Sequence, residues 1–427
     1  MTQTSPTPTI DEQVMPDPDV QRAEKRKLAM LAGILVGGVT LSVLTDTFPV
    51  VAFCLAMVAV VMLHEAAHFV AAKLSGMKAT EFFFGFGPRL WSIRKGETEY
   101  GIKAIPLGGY VKIIGMSNLE RDIDPADEPR TYRQGSYPKR MAVALAGVTT
   151  HFVLAFLLLV LLLSAIGVPN YDKPSLEIGS LSRLDTGASP AVDAGFKVGD
   201  RILSVDGRPV ANWDDVPPLI RGKAGQRVDF VVERDGRRVD LTAVPTTLES
   251  NGETRGFIGI GPKPTVERLG PIAASSRAAE DVWRLTTGSI KALGSFFAPG
   301  SLRDYANQLT NAGDESVEPS EDRFVSVVGV ARIAGQAAES GAFNVIYLLV
   351  LLNIFIGVFN LIPLLPLDGG HVAIATYERI RSRAGRRYQA DVGKMMPIAA
   401  AVIVVLVLIG VTSIYLDIVQ PITNPYQ

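Results

Sequence analysis

The sequence predicts a polytopic α-helical membrane protein of about five transmembrane helices, with a folded module exposed between the third and the fourth. Three observations carry this expectation. Hydrophobic residues make up 48% of the 427; they gather into runs close to the roughly 20 residues that cross a bilayer; and basic residues cluster between particular runs. The runs are 28–44, 49–72, 141–168, 343–365 and 397–416. The first follows Lys25, Arg26 and Lys27, as a signal-peptide core would. No small-residue cleavage site comes after it and another run starts at once, so an uncleaved anchor is expected.

Lys and Arg flanking a span are retained in the cytoplasm. Segment 75–140 is rich in them, among them Arg94, Lys95 and Arg130, and so is 371–396, with Arg379, Arg381 and Arg386. Both belong inside. The expected organisation is a disordered cytoplasmic tail (1–27), two spans (28–74), a cytoplasmic or re-entrant region (75–140) and a third span (141–168). An extracytoplasmic module (169–265), a linking segment with one amphipathic helix (266–342), a fourth span (343–370), a cytoplasmic loop (371–396), a fifth span (397–416) and an extracytoplasmic tail (417–427) complete it. The 42 basic and 43 acidic residues balance, which gives nucleic acid no electrostatic footprint to follow. The lone Cys54 excludes an internal disulfide and a thiolate metal cage, leaving His and carboxylates as the available ligands.

Those residues occur where lipid makes them expensive. The second run contains His64, Glu65 and His68 in the pattern H-E-x-x-H. At i and i+4 two imidazoles share one helix face and can hold one tetrahedral cation, with Glu65 beside the first of them placed as a general base. On a soluble surface helix the pattern arises by chance; in a lipid-spanning helix ionisable groups are functional by default. A hydrolytic zinc site takes three protein ligands, so one more must come from elsewhere. The fourth run ends Asn360-Leu361-Ile362-Pro363-Leu364-Leu365-Pro366-Leu367-Asp368-Gly369-Gly370-His371, with Asp368 its one acidic residue. The prolines predict an unwound stretch lining a cavity, or else a solvated turn at the cytoplasmic surface. At about 1.5 Å per helical residue, His64 lies about 14 Å inward from Lys73 and Asp368 about 16 Å inward from Arg379, so the two can share a plane.

With these motifs in view the chain resembles the site-2 protease family of intramembrane zinc metalloproteases. Further matches are Phe84-Gly85-Phe86-Gly87-Pro88 and Pro106-Leu107-Gly108-Gly109-Tyr110-Val111-Lys112. The resemblance implies Zn2+ held by His64, His68 and Asp368, with Glu65 as catalytic base and Asn360 holding substrate backbone. It also implies a β-hairpin over 81–113 dipping into the membrane, whose Gly85, Phe86 and Gly87 meet the substrate. The family usually reads A-G-P-x-x-N before the third span, where this chain has Ala146-Gly147-Val148-Thr149-Thr150-His151. By helical rise His151 lies about 16 Å inward from Arg140, level with the zinc plane. It either serves the site or packs as an ordinary buried histidine; a fourth ligand there would close the coordination shell.

The exposed module resembles a PDZ domain over 191–210, where turns at Gly199-Asp200 and Asp206-Gly207 frame the apolar strand of Ile202, Leu203 and Val205. A helix near 213–220 and strands at 227–233 and 238–244 complete about ninety residues. Such a module either captures peptides by strand addition or keeps bulky proteins away from the membrane site. By resemblance, the partners are the lipid bilayer and single-pass membrane proteins such as anti-sigma factors, or signal-peptide remnants, at a bacterial plasma membrane. The rival readings are a catalytically inactive PDZ-bearing scaffold and a transporter; neither requires a three-ligand site with a base beside it.

Overall fold

The computed structural model describes residues 18–427, apart from 117–119, 121, 171, 184–186, 188, 251–252, 314–322, 383–387, 423–424 and 426–427. Most of the tail expected over 1–27 therefore lies outside the described residues. Helix α1 runs Pro18–Leu44, ten residues earlier than the apolar run. That departs from the disordered tail expected up to 27, because a proline at the first position and the helix formers Gln21, Ala23, Glu24 and Lys25 extend the span. Helix α2 (Phe48–Leu74) has Pro49 in its first turn and ends at Ser75, before Gly76 at φ +79°. Two long strands follow, β1 (Ala79–Lys95) and β2 (Thr98–Ile113), paired antiparallel, and then α3 (Tyr137–Leu161), extended by a π turn over Leu162–Ile166.

The ribbon is more than the hairpin the sequence suggested. Residues 81–84 lie beside 109–112 running antiparallel, and also beside 99–102 running the same way, while 91–95 returns along 98–102. Paired runs thus stand side by side, with 109–112 and 91–95 outermost. Ala72, Met77, Ala79, Ile113, Tyr132 and Val143 form a buried cluster that holds the ribbon base between α2 and α3. The turn joining β1 to β2 is tied down beside it. Glu97 accepts from Arg130 Nη1 and Nη2 at 2.7 and 2.9 Å and from Lys73 Nζ at the end of α2.

The chain divides into two compact units, and 161–274 is the second. It contains β3 (Val168–Asn170), β4 (Ile178–Leu181), the one-turn α4 (Pro190–Asp193), β5 (Arg201–Val205), β6 (Arg208–Pro209), α5 (Val216–Arg221), β7 (Val228–Arg234), β8 (Arg237–Ala243), β9 (Thr246–Ser250), β10 (Glu253–Phe257), β11 (Ile260–Pro262) and β12 (Thr265–Glu267). A four-stranded sheet in the order β6-β5-β7-β8 packs its alternating apolar residues, Ile202, Val205, Val228, Phe230 and Val232, against Trp213, Val216 and Ile220. The expected strands and helix of the module are all present, within a few residues of their expected bounds.

The first unit resumes with α6 (Pro271–Phe296), α7 (Pro299–Thr310), α8 (Val327–Glu339), α9 (Ala342–Asn360), α10 (Asp368–Arg381) and α11 (Met396–Val419). Where one amphipathic helix and a linker were expected, three helices stand; the acidic stretch beginning at residue 314 lies outside the described residues. Helix α8 was illegible because its buried residues are small: Gly329, Ala334 and Ala337 let it pack tightly, with Ala334 and Ala337 meeting Phe53 of α2 and Leu348 of α9. Ser326 caps it, accepting from Val328 N and Gly329 N. Four helices, α2, α3, α9 and α11, are long and apolar enough to cross a membrane among the described residues; the apolar part of α1, Ala29–Leu44, is shorter.

Candidate metal centre

Helix α2 buries His64 and His68 on one face, as their spacing requires. At Asn360 the helix α9 stops, and the Pro363–Pro366 stretch stays unwound until α10 begins at Asp368 itself. The expected gap in the fourth span is therefore present, and helix resumes beyond it, as the depth count assumed. Residue Asp368 is thereby placed at the start of a helix whose other end is anchored. Arg140 Nη1 of α3 donates to Glu378 Oε2 of α10 at 2.5 Å, both side chains buried, and Glu378 Oε1 accepts from Ala390 N at 2.7 Å.

The three side chains converge. His64 Nε2 lies 3.1 Å from His68 Nε2, and Asp368 Oδ2 is 3.3 Å from the first and 3.2 Å from the second. Two helical histidines and a carboxylate 300 positions away thus form a nearly equilateral triangle of lone-pair atoms. Around a tetrahedral Zn2+ with bonds of about 2.0–2.1 Å, neighbouring ligand atoms sit about 3.3 Å apart, so the donor set fits that ion in chemistry and in size and leaves a fourth position open. Among the described residues this is the group of His, Cys, Asp and Glu able to hold a metal.

Neighbouring backbone orients the ligands. Val143 O accepts from His68 Nδ1 at 2.7 Å; a carbonyl can only accept, so the proton sits on Nδ1 and the Nε2 lone pair faces the triangle. His64 Nδ1 is buried without a partner. Above it passes Gly147 of α3, where an added Cβ would lie 2.5 Å from His64 Cε1 and closer still to His68 Nε2. A side chain there would enter the imidazoles. Glu65 is half-buried, and its Oε2 accepts from Val111 N at 3.1 Å, which couples its carboxylate to the outer run of the ribbon. That approach is permitted by Gly109, where a Cβ would fall 2.7 Å from Met62 Sδ and 3.0 Å from Phe83 O.

The remaining expected residues lie outside this group. His151 is buried, its ring 5.0 Å from that of His64, and its Nδ1 is occupied by Asn353 Oδ1 at 3.2 Å, so it stands outside the ligand triangle. Asn360 is half-buried at the end of α9, on the same face as Asn353 and Gly357, and that face packs on α3 at His151. Gly85 and Gly87 take φ +84° and +82° at the bend of β1, and the exposed Phe86 stacks on Tyr110 at 6.0 Å. Sequence reasoning missed Asn353, although a fully buried amide in the middle of an apolar helix is itself a signal. It also missed Gly147 and the Val111 amide; a backbone donor leaves no trace in a motif.

Comparison with known proteins follows the same residues. The model of peptidase family M50 matches 52–406. Zinc metalloprotease Rip1 of Mycobacterium tuberculosis is 34% identical over 406 residues, 87% of this chain and 98% of its own. The protein of the same name in Mycolicibacterium smegmatis is 32% identical over 407 residues, 88% and 98% of the two chains. A putative zinc metalloprotease of Rhizobium meliloti is 31% identical over 357 residues, 79% and 88%. Among solved structures, the PDZ domain of an SdrC-like protein from Listeria monocytogenes is 22% identical and covers 21% of this chain and 87% of that one, with a TM-score of 0.18.

Proposed function

The chain belongs to peptidase family M50, and from that premise we propose a site-2-type zinc metalloprotease that hydrolyses peptide bonds within the transmembrane segments of other membrane proteins. The observation that carries this reading is the triangle of His64, His68 and Asp368, set between helices apolar enough to span a bilayer. In this reading the three hold one Zn2+, which when bound makes a water nucleophilic near neutral pH and polarises the scissile carbonyl. Glu65 takes the proton released in the attack and returns it to the leaving amine. The Val111 amide fixes its carboxylate through Oε2, so the proton is handled at Oε1.

A helical substrate shields its peptide bonds and has to unwind. Run 109–112 has one ribbon neighbour, 81–84, and Glu65 is hydrogen-bonded to its backbone. A substrate segment adds there as a further strand, its backbone held by Asn360 and its side chains meeting the Gly85, Phe86 and Gly87 bend and His151. Asn353 orients His151 for that contact. The basic segments 75–140 and 371–396 support a cytoplasmic N-terminus in a bacterial cell, a ribbon entering the membrane from that side, and the PDZ-like module outside. The module acts as a gate, so the substrates are single-pass proteins already trimmed on the outside, such as anti-sigma factors. Deleting 176–264 should admit untrimmed substrates, and unchanged selectivity would reject the gate.

The mechanism is tested with Glu65→Gln, purified full-length and supplied with a model transmembrane substrate. Zinc content should stay at the wild-type level while cleavage falls by roughly 10²–10⁴-fold, the usual worth of a positioned acid–base group. An active Gln variant would reject the assignment.

A further inference from the structure

Three residues of α3, Arg140, Val143 and Gly147, follow one another at spacings of three and four and so share one helix face. Two of them serve the histidines: Val143 O accepts from His68 Nδ1 at 2.7 Å, and Gly147 lies against both imidazoles. The third reaches the helix that carries Asp368. Arg140 Nη1 donates to Glu378 Oε2 of α10 at 2.5 Å, with the two side chains 9% and 6% exposed. The other carboxylate oxygen, Oε1, accepts from Ala390 N at 2.7 Å, and the Arg140 guanidinium lies over the Tyr132 ring at 5.0 Å. Both members of the pair are thus held from a second side.

Stability alone is a weak reason to keep such a pair. Taking two charges out of water costs about as much as their attraction returns, and an apolar pair of similar volume is often as stable. The best-attested use of buried ion pairs is to fix register. Register is what Asp368 needs. It follows the unwound Pro363–Pro366 stretch, and ten residues of continuous helix, about 15 Å, connect it to Glu378. The apolar cluster of α10, Ile374 with Leu365, Ala390 and Val392, joins the helix to the segments that flank it in the chain. Its polar links to α3 are the ion pair and, beside it, Tyr137 Oη and Thr376 Oγ1 at 3.4 Å. We propose that Arg140 and Glu378 are positioning residues of the metal site. They lock α10 against the same face of α3 that orients the histidines, and so set the depth at which the Asp368 carboxylate meets His64 and His68. The inference rests on the zinc reading above and adds to it the means by which a ligand 300 positions away comes into register.

The test uses purified full-length protein, with zinc affinity measured by chelator competition and the coordination shell by X-ray absorption at the zinc edge. Glu378→Gln keeps an acceptor for Ala390 N but offers Arg140 no charge. Its zinc affinity should fall about tenfold or more, the scale of lost ligand support. At saturating zinc its shell should keep both imidazoles while the carboxylate oxygen weakens or is lost. Arg140→Lys replaces the planar fork by a point charge; it should show the same selective loss, several-fold in affinity, and it carries the test where the neutral variant does not fold. A pair that only holds the fold together would lower the thermal midpoint and leave both zinc readouts at the wild-type values. Unchanged affinity in a folded variant, or imidazoles lost together with the carboxylate, would overturn the proposal. A wild type without zinc would instead reject the zinc reading itself.

Discussion

Two clusters of polar groups are buried between the helices, and they are opposite in sign. At His64, His68 and Asp368 three lone-pair atoms crowd within 3.3 Å of one another, an arrangement that only a shared cation relieves. At Arg323 and Asp417 the carboxylate is satisfied on both oxygens while the guanidinium keeps unmatched donors. The difference lies in the unmatched atoms, which are acceptors open to a shared cation in the first cluster and enclosed donors in the second. It also separates the two functionally. Disturbing the first should change metal content, and disturbing the second should change stability.

The largest effect expected in breaking that separation is Asp417→Ala. Removing one partner of a buried pair costs roughly 3–5 kcal/mol, so the thermal midpoint should drop sharply while zinc stoichiometry in the surviving folded fraction holds; a loss of zinc in parallel would mean that the clusters are coupled. Next is Gly147→Ala, which drives a methyl group into both imidazoles. Zinc affinity measured by chelator competition should fall roughly 10–100-fold, the scale of disturbed ligand support, with the thermal midpoint little changed. An unaltered affinity would place α3 further from the ligands than the glycine implies.

The smallest effect concerns the turn between β1 and β2. The paired bonds from Arg130, reinforced by Lys73, hold the Glu97 carboxyl down to about 2. A carboxylate depressed in the folded state contributes stability above its unfolded value, near 4.3, and loses it as pH falls. Between about pH 4 and pH 2 the wild type should lose this contribution. Glu97→Gln should start lower at neutral pH and show a shallower decline over the same window, as followed by proteolysis of the ribbon. Parallel pH curves would remove Glu97 from the clamp.

What could be read in the sequence was whatever is expensive in lipid. His64, Glu65 and His68 stand out because a hydrocarbon environment tolerates them only for a purpose, and Asp368 because prolines break the helix around it. Four of the five expected spans and the strand pattern of the module were legible for similar reasons of periodicity and length. Cheap features stayed hidden. Helix α8 packs through Gly329, Ala334 and Ala337, small residues that carry little hydropathy signal. The doubling of the ribbon depends on pairing between 81–84 and 99–102, which no local pattern encodes. The ligand support depends on Gly147 and on the carbonyl of Val143, an absent side chain and a backbone atom.

The central claim is that His64, His68 and Asp368 jointly hold one zinc. X-ray absorption at the zinc edge, on purified wild type and Asp368→Ala, tests it most directly. The wild type should carry one zinc per chain with two imidazole nitrogens and carboxylate oxygen at about 2.0–2.2 Å, and the variant should lose the metal or the carboxylate signal. A wild type that binds no zinc, or a variant whose coordination shell is unchanged, would contradict it.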